Sequence, residues 1–152
     1  MGWIYMKIAV AYASMTGNTE CIADEIKRYL DEKNLDHSTF HIPSDDFYAF
    51  DLADYDVIFF GSYTYGDGDL PFELMDFYDE VEDEDLSGKR IGLFGSCDSF
   101  YPLYGVALDQ LKERFESVGA TVHGELVKVD LDPDDKDLGL TRAMVDDVLV
   151  SE

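Results

Sequence analysis

Short continuous apolar runs alternate along this chain with stretches whose apolar residues recur every three or four positions, and that alternation predicts a parallel α/β sheet with helices between the strands. The first strand spans roughly Met6 to Ala13, and the helix after it, Glu20 to Lys33, sets Ile22, Ala23, Ile26, Tyr29 and Leu30 on one face. Ser38 to Ile42 alternates polar and apolar residues, as an edge strand does, and Pro43 ends it. Asp56 to Gly61 carries Val57-Ile58-Phe59-Phe60 without a break, so this third strand is expected to be central. Pro71 fits the first turn of a helix near Phe72 to Val81, and Arg90 to Gly95 reads as the fourth strand. A helix from about Leu103 to Val118 turns Val106, Leu108, Leu111 and Phe115 inward and stops at Gly119. A fifth strand runs from Thr121 to Val129, and Asp132-Pro133 opens a last helix that Gly139 weakens. No repeat, linker or shift in composition divides residues 1–152, so a single domain is expected.

Five strands with intervening helices make a doubly wound sheet. Ligands in such sheets bind beyond the carboxyl ends of the strands, where the winding reverses. The loops after strands one, three and four are the ones expected to meet there. The first, Ser14-Met15-Thr16-Gly17-Asn18-Thr19, joins a buried strand to a helix N-terminus and offers hydroxyls, free backbone amides and the positive end of a helix dipole. Gly17 permits close approach, and Asn18 can orient the turn or cap the helix. The loop has no cation, no Walker lysine and no dinucleotide glycine pattern, so a phosphate would be held by the hydroxyls of Ser14, Thr16 and Thr19 and by amides. By itself it reads equally as an ordinary helix cap. The second loop, Gly61 to Pro71, contains Tyr63, Thr64, Tyr65, Gly66 and Asp67; the third, Gly95 to Gly105, contains Ser96, Asp98, Phe100, Tyr101, Leu103 and Tyr104. Each alone supports an aromatic wall, with a surface turn bearing incidental aromatics as the alternative for the second and plain core and turn residues for the third. Together they form two aromatic walls able to sandwich a planar ring.

Charge narrows the field. Eleven basic residues against 34 acidic ones give −23, which excludes a nucleic-acid binder. From Asn34 to Gly88 there are sixteen Asp or Glu and no Lys or Arg, a distribution suited to a basic partner surface as well as to solubility or high salt. No apolar run approaches the roughly 20 residues of a membrane span, and the N-terminus lacks the basic start and apolar core of a signal peptide. Met6 can serve as an alternative start. Cys21 and Cys97 read as free thiols of a cytoplasmic protein, without metal-binding spacing. His37, His41 and His123 read as surface or strand residues. A receiver domain needs an Asp where Phe60-Gly61 stand and an acidic pair where Tyr12-Ala13-Ser14 stand, while a small tyrosine phosphatase needs an Arg six positions after its Cys, where Leu103 and Lys27 are found.

The segments Ser14 to Thr19, Thr64-Tyr65-Gly66-Asp67 and Asp98 to Gly105, in this order and spacing, resemble those of a bacterial flavodoxin over essentially the whole chain after Met6. The short passage from fifth strand to last helix resembles the short-chain kind. The resemblance implies a flavodoxin-like sheet of order 2-1-3-4-5, a family that is itself a standing example of the switch-point rule. It implies non-covalently bound FMN, low-potential one-electron transfer mainly between semiquinone and hydroquinone, and no catalytic residues. Residue by residue it implies phosphate contacts from Ser14, Thr16, Thr19 and the amides of Met15 to Thr19. It puts Tyr65 on the inner face of the ring and Tyr101 flat on the outer face. It brings backbone groups of Asp98, Leu103 and Gly105 to the pyrimidine edge, and a Gly66 carbonyl to N5–H. Tyr63 departs from the pattern, standing where some relatives have a small hydroxyl residue near the phosphate. The implied partners are an NADP reductase or 2-oxoacid oxidoreductase as donor and a desaturase, P450 or radical enzyme as acceptor, meeting a monomer. An activator of the ribonucleotide-reductase type or a flavin-dependent reductase would share the fold.

The second electron would place an anion near Asp67, Asp69 and Asp98, between walls that exclude water, and like charge in a low dielectric disfavours it. Asp67→Asn is therefore expected to raise the second reduction potential; an unchanged potential in a titration at fixed salt would contradict this account.

Overall fold

The computed structural model describes residues 6–14, 17–42, 44–64, 70–97, 106–124 and 126–150. In chain order the elements are β1 (Ile8–Tyr12), α1 (Asn18–Glu32), β2 (Ser38–His41), a 3₁₀ turn (Ala49–Asp54), β3 (Val57–Gly61), α2 (Phe72–Val81), β4 (Arg90–Cys97), α3 (Val106–Ser117), β5 (Thr121–Val122), β6 (Val127–Asp130) and α4 (Asp135–Val150). The sheet order is β2-β1-β3-β4-β5, with β6 also paired to β4 and every ladder parallel.

Alternation along each strand separates two cores. Ile8, Val10, Tyr12, Val57, Phe59, Phe94, Val127 and Val129 face the side covered by α1 and α4. Ala11, Ala13, Ile58, Phe60, Ile91 and Leu93 face the side covered by α2 and α3. Every residue of β1 and β3 is buried, as a strand covered on both sides should be, while β2 is part-exposed at the edge.

The fifth position holds two short strands instead of one. Thr121 and Val122 pair with Arg90 and Ile91, and Val127–Asp130 pair with Phe94–Cys97. Between them the chain turns at Gly124, whose φ is +74°. His123-Gly124-Glu125 interrupts the apolar positions at the break, a local signal that the reading of one continuous strand passed over. The 3₁₀ turn has no apolar periodicity either; it is closed by Asp51, whose carboxylate accepts the Tyr48 amide at 2.8 Å. Gly139 does not interrupt α4. Open space surrounds it, Met144, Val145 and Val148 anchor the helix in the core, and Asp134 and Asp137 cap the start by accepting each other's amides at 2.9 and 3.0 Å.

Helices α1 and α4 are joined by polar contacts at their rim. Tyr29 donates to Asp146 at 2.9 Å, Lys33 pairs with the same carboxylate at 3.2 Å, and the buried Glu25 receives both Arg28 and Arg142. Burial pushes the Glu25 carboxyl up, but hydrogen bonds and charge from the two guanidinium groups outweigh it and hold it below the usual Glu range. A carboxyl lowered on folding contributes stability above its unfolded pKa of about 4.3, and that contribution is lost as pH falls through the folded value. Denaturation curves from pH 7 downward are expected to show this loss below about pH 4.3, and Glu25→Gln to be less stable at pH 7 with a flatter acid limb.

Candidate functional site

Backbone hydrogen bonds tie the loops together at the carboxyl edge of the sheet. Ala13 N–H donates to Gly61 O at 3.0 Å, Ser62 N–H to Phe94 O at 3.1 Å, and Thr64 N–H to Ser96 O at 3.1 Å. The chains after β3 and β4 approach so closely that a Cβ on Gly95 would lie 1.8 Å from the Ser62 carbonyl oxygen.

The first loop enters α1 through Gly17, at φ +91°, a conformation that costs glycine little. Gly17, not Asn18, is the cap residue, and Asn18 opens the helix. The cap oxygen comes from Ser14, whose Oγ accepts the amides of Gly17 at 3.1 Å and Glu20 at 3.4 Å. Thr19 is fully buried. Its Oγ1 lies 2.8 Å from Ser96 Oγ and accepts the Ser96 amide at 3.4 Å. When the Ser96 hydroxyl donates as well, the Thr19 proton is left for another acceptor.

Ser96 is thus the meeting point of the three loops, through its amide and hydroxyl to Thr19 and its carbonyl to Thr64. Thr64 completes the arrangement with a deficit: its Oγ1 is buried and has no hydrogen-bond partner among the described residues. A buried hydroxyl left unsatisfied costs about 1–3 kcal/mol, so this group is one that a ligand oxygen would satisfy. Tyr63 lies in the second loop, two residues past Gly61, the buried end of β3. Its ring packs against the α2-side core and its hydroxyl donates to both oxygens of Glu73, at 2.9 and 2.8 Å. The expected contacts Met15, Thr16, Tyr65, Gly66, Asp67, Asp98, Tyr101, Leu103 and Gly105 lie outside the described residues.

Sequence reasoning missed a second polar cluster at this edge. Tyr12, the last residue of β1, donates to Glu20 at 2.9 Å and stacks on His41 with ring centroids 5.1 Å apart. Burial, then the Glu20 carboxylate, pushes its phenol well above the usual tyrosine range. The only sequence signal was an aromatic ending a buried strand ahead of an acidic first helical turn. Both cysteines are free thiols; Cys97 is buried, and the exposed Cys21 is pushed up by partial burial and by Asp132, Asp24 and Glu20. Cys21 is therefore not a ready thiolate. Among the described residues no cluster of His, Cys, Asp or Glu could hold a metal ion, and no helix is long and apolar enough to cross a membrane.

A helix N-terminus with neutral donors, at the carboxyl edge of a doubly wound parallel sheet, defines a phosphate-anchored cofactor site of the nucleotide type. A family model described as Flavodoxin matches residues 10–141. A probable flavodoxin 1 of Bacillus subtilis is 41% identical over 138 residues, covering 90% of this chain and 86% of that protein. The crystal structure of oxidised Flavodoxin 1 from Bacillus cereus superposes with a TM-score of 0.89 at 42% identity, covering 96% of this chain and 99% of that one. A Fusobacterium nucleatum flavodoxin bound to flavin mononucleotide shares the fold at a TM-score of 0.74 and 20% identity, over 94% of this chain and 95% of that one. The chain belongs to the flavodoxin family. It is an FMN-binding electron carrier that serves redox partner proteins, and not an enzyme.

The described residues fit FMN: the loop before α1 suits its phosphate, and the unpartnered Thr64 hydroxyl suits a ligand oxygen. Thr64→Val is expected to leave the FMN-free protein as stable or slightly more so, because it removes an unsatisfied group. FMN affinity, read by fluorescence quenching on titration, should fall about tenfold or more, the worth of a hydrogen bond to a charged group.

Proposed function

We propose that residues 1–152 act as one cytoplasmic, monomeric domain that carries single electrons at low potential on non-covalently held FMN. The observation that carries this reading is the tie at Ser96 between a cation-free phosphate loop and a second loop bearing an unsatisfied hydroxyl. Bound FMN supplies the one-electron chemistry; the chain supplies anchoring, exclusion of water and the electrostatic field. Ser14, Thr16 and the amides of Met15 to Thr19 hold the phosphate, with Gly17 and Asn18 setting the turn and Thr19 turning its proton outward from Ser96. Thr64 adds its hydroxyl, while Tyr63 and Ser96 support the cradle. Tyr65 and Tyr101 would cover the two faces of the ring, Gly66 would offer its backbone carbonyl to the ring, and backbone groups of Asp98, Leu103 and Gly105 would hold its pyrimidine edge. Asp67, Asp69 and Asp98 oppose a second negative charge and so keep the potential low. The donor is an NADP reductase or a 2-oxoacid oxidoreductase; the acceptor is a desaturase, a P450 or a radical enzyme.

Protein loaded with FMN is expected to be yellow, to pass through a blue form on partial photoreduction, and to leave NAD(P)H unoxidised on its own. Gly66→Ala should diminish the blue form. Unaided NAD(P)H oxidation, or failure to retain FMN, would overturn the reading.

A further inference from the structure

Between α2 and the segment that follows β2 lies a groove of about 250 Å³. Its floor is apolar, made by the buried Ile42, Phe47 and Phe77, the last two stacked with centroids 6.0 Å apart. Its rim carries the carboxylates of Asp45, Glu73, Asp76 and Glu80. Tyr48 forms one lip, 47% exposed and stacked on the exposed Phe50 with centroids 5.5 Å apart. The volume is below the roughly 300–1,000 Å³ of small-molecule sites, so the groove suits one long side chain and not a whole ligand.

The four rim carboxylates make no salt bridge among the described residues. Helix α2 bears Glu73, Asp76, Asp79 and Glu80 and no basic residue, and the sequence has no Lys or Arg from Asn34 to Gly88. Glu73 and Asp76 stand three positions apart and Asp76 and Glu80 four, where like charges repel; Asp79 and Glu80 also sit at the end of the helix whose dipole disfavours anions. Asp45 accepts the His41 amide at 2.7 Å and Glu73 accepts the Tyr63 hydroxyl. Asp76 and Glu80 are exposed. The helix tolerates repulsion that a cation in the groove would relieve.

We propose that this groove is an arginine socket, which seats a single arginine side chain from the basic surface of a redox partner protein. The proposal rests on the carrier reading above. An arginine stem is covered by an apolar floor, its planar head stacks on an aromatic lip, and its fork of donors matches facing carboxylates. A lysine ammonium meets the charge but neither the plane nor the fork. The socket adjoins the cofactor edge: Ile42 N–H bonds Tyr12 O at the end of β1, and Glu73 holds Tyr63 in the second loop. An arginine seated there brings its protein alongside that loop.

The test is an NMR titration of ¹⁵N-labelled, FMN-loaded protein with acetylarginine amide, acetyllysine amide and the neutral acetylcitrulline amide, at constant physiological ionic strength. The socket predicts saturable shifts centred on Asp45, Asp76, Phe77 and Glu80. Arginine should bind most tightly, and citrulline should give no saturation. Asp76→Asn with Glu80→Gln should weaken arginine about fivefold, the upper worth of an exposed charge pair. Tyr48→Leu should reduce the preference for arginine over lysine and leave the charge dependence. Shifts spread evenly over other acidic runs such as Glu82 to Asp85, equal binding of arginine and lysine, or no effect of the double variant would overturn the socket. Bound flavin absorbance and photoreduction, recorded on the same samples, read the carrier assignment separately. Their failure in the wild-type protein would remove the redox partner whether or not arginine binds, and their retention in the variants confines any loss to the socket.

Discussion

The site depends on one residue's ability to face three ways. Ser96 is the next-to-last residue of the fourth strand's buried run, and through its amide, hydroxyl and carbonyl it ties the start of α1 to the segment after β3, which are far apart in sequence. The contact is possible because Gly95, beside it, lets the Ser62 carbonyl come where no Cβ could fit. Close backbone approach and side-chain bridging thus act together, and they bring the phosphate loop and the second loop to one edge without a cation to draw them. The unsatisfied Thr64 hydroxyl is held in the same frame.

Charge is divided in space as well as in sequence. The ion pairs of the described residues gather on or beside α1, α3 and α4, where Glu25, Asp146, Asp109 and Glu82 each meet a basic group. Lys33–Asp146 and Arg142–Glu25 join α1 to α4, Lys128–Asp109 joins β6 to α3, and Arg114–Glu82 joins α3 to the end of α2. Farther along α2, beside the segment after β2, stacked aromatics lie beneath a negative rim whose carboxylates make no salt bridge among the described residues.

The sheet was legible because its signals are local. Val57 to Gly61 had to be a central strand from its unbroken apolar run, and Ile22, Ala23, Ile26 and Leu30 had to share a helical face. The loops could be assigned to the carboxyl edge from topology alone. What the pattern did not carry were pairs made across the fold. Thr19 and Ser96 are 77 positions apart, and nothing near either one announces the other. The aromatic loop likewise does not announce that the Tyr63 hydroxyl donates to a carboxylate ten positions on, in α2. Gly17 and Ser14 share a capping role that sequence reading gave to Asn18, because the left-handed turn is a property of the folded loop and not of the residue types alone. The break in the fifth strand is a different case: His123-Gly124-Glu125 interrupts the apolar pattern, but a single glycine between two apolar stretches does not by itself distinguish a turn from a bulge.

That break has a consequence of its own. β5 and β6 are each secured to β4 by their own ladder, and the turn between them lies beyond the span of either. Lengthening the chain at that turn would leave both ladders their partners and both cores their side chains. The sheet therefore contains a seam at its outer margin where new sequence can be grafted, a position from which the molecule could acquire another surface while the cofactor edge stays as it is.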